Sequence, residues 1–157
     1  MDFKESEIVE LKETVTGDVK KEIISFANST GGTLYIGVAD NGDVVGVLNP
    51  EAMMQQIINM VRDSIKPDVT MFLRHGIKDI NGKKIIAVEI QRGTERPYYL
   101  AQKGLRPEGV FVRQGASSVP ATDTAIRRMI KDTDGDNFEN MRSLEQSLTF
   151  EVTNREF

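Results

Sequence analysis

Cysteine is absent from the 157-residue chain, which excludes disulfides and thiolate metal sites and is compatible with a reducing compartment. Histidine occurs once, as His75 between Arg74 and Lys78. A histidine-rich metal cluster and a Cys–His pair are therefore impossible, and no nucleophile-elbow sequence supports a Ser–His–Asp triad. No apolar run approaches the roughly 20 residues needed to span a bilayer. The opening MDFKESEI is too acidic for a signal peptide. A cytoplasmic protein without membrane contact is expected.

A strong charge of one sign is missing too. The formal net charge is −4, with 39% hydrophobic and 28% charged residues, an ordinary composition for a globular domain long enough to bury a real core. The modest sum hides segregation. Residues 1–75 carry 7 basic and 12 acidic side chains, residues 76–131 carry 11 and 5, and residues 132–157 carry 2 and 7. The middle segment is thus expected to form a basic face, whose local sign matters more than the total.

Periodicity gives the outline of the fold. Ile8, Val9 and Leu11 mark a short strand. A helix over about Val19–Ser29 follows, with Val19, Ile23, Phe26 and Ala27 on one stripe. Thr16 or Asp18 is the candidate cap, and Gly31 or Gly32 the stop. Thr33–Ala39 reads as a core strand, Asp40-Asn-Gly-Asp43 as a tight turn and Val44–Leu48 as the returning strand. Asn49-Pro50 opens a second helix, about Glu51–Ile65. Residues 69–77 and 83–91 form a hairpin through Asn81-Gly82. A polar excursion over 92–109 has a short strand near Tyr98–Ala101. Val110–Arg113 is expected to be the last strand, and Thr122–Lys131 a helix capped by Thr122. The order lacks a regular β-α beat, so the expected fold is α+β: a single domain over residues 1–131 with a mixed β-sheet built from hairpins and packed by helices. Residues 132–157 read as an acidic linker and the start of a C-terminal extension.

The glycines of FANSTGGTLYIGVADNGDVVGV resemble a phosphate cradle only in composition. A dinucleotide fingerprint needs its glycines after a strand and before a helix. Gly31-Gly32 follow a helix and precede a strand, and Thr33-Leu34 supplies no P-loop lysine. They are expected to cap a helix and turn the chain into a core strand.

Two sets of side chains remain as candidates for function. Glu5, Glu10 and Asp40 lie near strand ends, where three carboxylates could hold Mg²⁺ or Mn²⁺, with Lys12 positioning a phosphate. The alternative is that these are surface acids, Asp40 bonding its own turn. The second set is basic: Arg92, Arg96, Lys103, Arg106 and Arg113, interleaved with Tyr98 and Tyr99, then Arg127, Arg128 and Lys131. Guanidinium groups suit bidentate phosphate contact, and tyrosines can stack on bases. This reading expects the arginines of 92–113 on one open surface; the alternative is a solvated loop with its tyrosines buried against the sheet.

Glu5-Ser6, Val9-Glu10-Leu11-Lys12, IISFANSTGGTLYIGVADNGDVVGV and GVFVRQGASSVPAT together resemble the Schlafen/AlbA-type (AlbA_2) domain of bacterial transcriptional regulators, over roughly residues 3–131. The resemblance implies a nucleic-acid-binding N-terminal module, with DNA or RNA as partner and a homodimer as a plausible state. The family has also been labelled a divergent ATPase (AAA) domain, which the order of the glycines does not support. Eukaryotic Schlafen relatives include RNA nucleases with three acidic residues. By that resemblance Glu5, Glu10 and Asp40 would be the catalytic and metal-binding acids, and a divalent-metal nuclease is the alternative function.

Overall fold

The structure is a computed structural model that describes residues 2–135. Of the expected linker and extension over residues 132–157, residues 132–135 continue the last helix, and residues 136–157 lie outside the described residues. Strand β1 (Val9–Lys12), helix α1 (Asp18–Asn28) and strand β2 (Gly32–Ile36) come first, followed by α2 (Pro50–Ser64) and the two-residue β3 (Ile65–Lys66). A 3₁₀ turn at Thr70–Phe72 leads into the hairpin β4 (Leu73–Ile80) and β5 (Lys83–Ile90). Then come β6 (Tyr99–Leu100), β7 (Phe111–Gln114) and β8 (Ser117–Pro120), and α3 over residues 123–135.

The main sheet has the order β1-β2-β5-β4. β1 and β2 are parallel, and the other pairs are antiparallel. It is the mixed sheet of an α+β domain. Alternation along the strands divides its two faces. Leu34, Ile36, Ile86, Val88 and Ile90 meet Ile23, Ile24 and Phe26 of α1 and Ile57 and Val61 of α2 in the largest core cluster. The reverse face is smaller: Phe3, Leu11, Val38 and Ile85, with Tyr35 beside them. There Phe3 meets Tyr35 edge to face, ring centroids 4.9 Å apart.

Helix α1 buries eight of its residues, including Glu22, Ser25 and Asn28. One apolar stripe would not require so much. The reason is position: α1 lies between the main sheet on one side and the β6–β8 region on the other. The β7–β8 hairpin departs from the expectation that Val110–Arg113 is the last strand, since SSVP lacks a long apolar run.

The end of α1 joins these layers. The Asn28 amide donates to the carbonyls of Tyr98 and Phe111, each at 3.0 Å, and its Oδ1 accepts the Tyr98 N–H at 2.7 Å. Ser29 Oγ accepts the Arg113 N–H at 2.9 Å. Gly31, with φ +81°, donates its N–H to the Phe26 carbonyl at 2.9 Å, closing the helix and turning the chain into β2. The glycine-rich stretch is thus a structural junction, as the order of its elements required.

Of the two candidate caps, Thr16 is the one whose Oγ1 accepts the N–H of Asp18, the first residue of α1. Two local expectations differ. The Ala39–Asp43 turn is present, but Asn41 holds it by accepting the Asp43 N–H at 3.0 Å and bonding the Asp43 carboxylate; Asp40 does not. Val44–Leu48 forms no strand beyond a single Val38–Val44 bridge, because the place beside β2 is taken by β5.

Candidate nucleic-acid interface and the buried charge cluster

Glu10 and Lys12 share the sheet face turned toward α1, paired in register with Leu34 and Ile36. Glu22 descends from α1 onto the same ground, and Arg113 reaches it from β7. The Arg113 side chain is 1% exposed. Its Nη1 donates to Glu10 Oε1 at 2.8 Å, Ser118 Oγ at 3.1 Å and Glu22 Oε1 at 3.4 Å. Its Nη2 donates to the carbonyls of Ser6 at 2.9 Å and Val9 at 3.0 Å. The guanidinium also lies over the Phe26 ring, 4.7 Å from the centroid. Lys12 Nζ meets Glu22 Oε2 at 3.1 Å, Ser118 donates to Glu22 Oε1, and Ser25 and Ser118 share a hydrogen bond.

Protonation follows from this packing. Burial pushes the Glu10 carboxyl up to about 7; a hydrogen bond with the Glu5 carboxyl adds to it, while Arg113 opposes both. For Lys12, burial favours the neutral amine, but Glu22, then Glu10 and Asp18, outweigh it and hold the ammonium above its ordinary value. The cluster is a set of mutually compensated charges joining β1, α1 and the β7–β8 hairpin. Removing one partner of such a set costs about 3–5 kcal/mol, because the other is left buried and uncompensated.

This arrangement corrects several sequence expectations. Arg113 is an interior residue paired with Glu10 and Glu22, and it cannot present its guanidinium to a phosphate. Tyr98 is 0% exposed; its hydroxyl accepts the Glu95 N–H at 3.1 Å and its ring meets Phe72 edge to face, so it is unavailable for stacking on bases. Burial raises its hydroxyl pKa. Among the acids, Glu5 and Glu10 are neighbours, but Asp40 is exposed in its turn and lines an open hollow with Lys12, Thr14 and Thr16. Among the described residues, no group of three or more His, Cys, Asp or Glu is placed to hold a metal ion. Glu5, Glu10 and Asp40 thus do not assemble as a metal site, and Lys12 pairs with Glu22.

Sequence reasoning missed Glu22, Ser25, Ser118 and Asn28. Glu22 did leave a signal: it falls in the 19-22-23-26 stripe of α1, where a carboxylate has no reason to be unless something inside meets it. Ser118 left none.

The remaining basic residues are at the surface. Arg92, Lys103, Arg106, Arg127, Arg128 and Lys131 are exposed, and Arg96 is half-buried with its carbonyl accepting from Thr133 Oγ1 at 2.7 Å. A third apolar cluster, Val110, Ala121, Ile126 and Met129 with Tyr99 against it, fastens α3 to the chain on either side of the β6–β7 loop. Lys103 and Arg106 in that loop and Arg127, Arg128 and Lys131 on α3 are thus borne by one packed unit. Lys103 also lines a groove of about 350 Å³ with Lys20 and Lys21 of α1, rimmed by Asp18 and Asp63. Lys21 is steadied over Phe111, 5.6 Å from its centroid. Lysine or arginine is thus exposed on three elements, α1, the β6–β7 loop and α3.

Comparison with known proteins gives the following. The family model described as Schlafen, AlbA_2 matches residues 1–122. No curated protein matches. Among solved structures, the N-terminal domain of a RecG-related protein from Nitrosomonas europaea is similar at 22% identity and TM-score 0.53, over 73% of this chain and 82% of that one. The DIP2311 protein from Corynebacterium diphtheriae is similar at 20% identity and TM-score 0.53, over 73% of this chain but 25% of that one. At these identities the structural likeness establishes the shared fold. Among the described residues, no helix is long and apolar enough to cross a membrane.

Proposed function

The chain belongs to the Schlafen AlbA_2 family, and from that membership and its surface charge we propose that it binds nucleic acid through the phosphate backbone. The binding face is made by the start of α1, the β6–β7 loop and α3. The observation that carries this reading is the fastening of the loop and α3 by one apolar cluster, with Lys103 shared between the loop and the α1 groove. Flexible lysines and arginines on a fixed scaffold supply affinity without base selection. The domain then serves as the N-terminal module of a bacterial transcriptional regulator, sequence choice being made by other parts of the protein. The Nitrosomonas europaea neighbour, named as RecG-related, is in keeping with nucleic-acid work for this fold.

The divalent-metal nuclease reading has less behind it. It needs Glu5, Glu10 and Asp40 around one Mg²⁺ or Mn²⁺, whereas Glu10 is engaged with Arg113 and Glu5 and, among the described residues, no three such groups are placed to hold a metal ion. Triple charge reversal of Lys103, Arg106 and Arg128 to glutamate tests the proposed face. Fluorescence anisotropy with duplex DNA and single-stranded RNA is expected to show affinity falling at least about tenfold for whichever is bound, with the circular dichroism spectrum unchanged. Unaltered affinity in the folded variant overturns the assignment.

A further inference from the structure

β4 is an eight-residue strand at the margin of the main sheet, and among the described residues nothing pairs with its outer side. Long open edges usually invite another strand. The orientation of its backbone groups is fixed by its register with β5. Phe72 accepts the Gln91 N–H at 2.9 Å, in line with the pairs running from Leu73–Ile90 to Ile80–Lys83. Even-numbered residues therefore turn their N–H and C=O groups toward β5, and Leu73, His75, Ile77 and Asp79 turn theirs outward.

We propose that β4 pairs antiparallel with β4 of a second copy of this chain, about a two-fold axis at Ile77, joining two four-stranded sheets into one. The two-fold symmetry leaves few registers, because directly opposed side chains must lie on the same face and some residue must face its own copy. Centring on Gly76 sets Arg74 against Lys78, and centring on Lys78 or His75 sets that residue against itself. Centring on Ile77 opposes Ile77 to Ile77, His75 to Asp79 of the second copy on both sides, and Gly76 to Lys78. Only this register combines an apolar centre with two cation–carboxylate pairs when the imidazoles are protonated, and with imidazole–carboxylate hydrogen bonds when they are neutral.

Two further observations agree. Ile77 is 41% exposed, and it lies beside Ile86 on the helix-facing side of the sheet, so the pairing extends an existing core surface. Lys78, the charge that would guard this edge, is folded back over Tyr35 with its Nζ 5.8 Å from the ring centroid. About six new backbone hydrogen bonds would form, two for each opposed pair of outward-facing residues.

Sedimentation velocity of the full chain over a concentration series tests the interface. The wild type is expected to dimerise. Ile77→Lys places two ammonium groups on the axis and is expected to give monomers without loss of fold, since residue 77 is exposed. His75→Glu sets a new carboxylate against Asp79 and is expected to be monomeric. Asp79→Lys sets a new ammonium against His75 and is expected to associate weakly. In a mixture of the last two variants, the introduced carboxylate opposes the introduced ammonium, while the remaining Asp79 opposes the remaining His75. The equimolar mixture is therefore expected to recover a heterodimer. Asp79 also accepts the Gly82 N–H at 2.9 Å, which is why recovery on mixing is the decisive readout. A monomeric wild type, a dimer that survives Ile77→Lys, or a mixture that stays monomeric overturns the proposal. So does a wild type that dimerises only after removal of residues 136–157, since its edge would then be covered from within the chain.

Discussion

Glu10 shows how position decides chemistry at the scale of one residue. A carboxylate at a strand end is a reasonable metal ligand on sequence grounds, yet the fold places it beneath α1 against Arg113 and Glu5. Its carboxyl rises from 4.5 to about 7, so between those values the folded chain holds a proton that the unfolded chain has released. Stability must then fall as pH rises through this window, by an amount on the order of 2–3 kcal/mol for this group alone. Glu10→Gln is expected to abolish that part of the slope in urea unfolding measured from pH 4.5 to 7. Identical slopes in the two proteins would mean that Glu10 ionises freely. Arg113 illustrates the same lesson from the other side. An arginine in FVRQG reads from sequence like any surface arginine, and only the apolar residues just before it, Val110 and Phe111, both buried, hint that it points inward.

At the scale of elements, the legible parts were those whose pattern is local. α1, α2 and the β4–β5 hairpin stand close to where spacing and turn residues put them, because apolar stripes, Asn49 as cap and Asn81-Gly82 as turn act within a few residues. The returning strand at Val44–Leu48 failed because pairing is a contest between partners. β5 won the edge of β2, which no local signal reveals. The β7–β8 hairpin was missed because its strands are supported from outside, by Ser29, Ser25 and Glu22 of α1 and its end. Gly93 belongs to the same class of hidden constraint. A Cβ there would stand inside the Tyr98 ring, which is fully buried and cannot withdraw. Gly93→Ala is therefore expected to destabilise the domain by about 3 kcal/mol. Gly17→Ala, where added atoms meet nothing within 4 Å, is expected to change stability by well under 1 kcal/mol. Equal midpoints for the two variants in thermal unfolding would contradict the packing described around Tyr98.

Over the whole molecule, charge is sorted by depth as well as by sequence. One arginine of the basic segment is withdrawn into the interior to neutralise Glu10 and Glu22, and one tyrosine is withdrawn to wedge the 92–99 turn. Of the cations left outside, Lys78, Lys83 and Lys84 lie on the β4–β5 hairpin, while the proposed face uses Lys20 and Lys21 of α1, Lys103 and Arg106 of the β6–β7 loop and Arg127, Arg128 and Lys131 of α3. The excess of cations in residues 76–131 was legible, while which of them stay outside was not, since the burial of Arg113 and the placing of Lys103 beside Lys20 and Lys21 depend on tertiary contacts. If that face binds phosphates, association must release condensed counterions. The direct measurement is the affinity of the full chain for a nucleic acid as a function of salt. For duplex DNA the logarithm of the binding constant should fall linearly with the logarithm of salt concentration, with a slope of about −3 to −5, corresponding to roughly four or five phosphate contacts. A flat dependence, or no binding to DNA or RNA at low salt, would contradict the account.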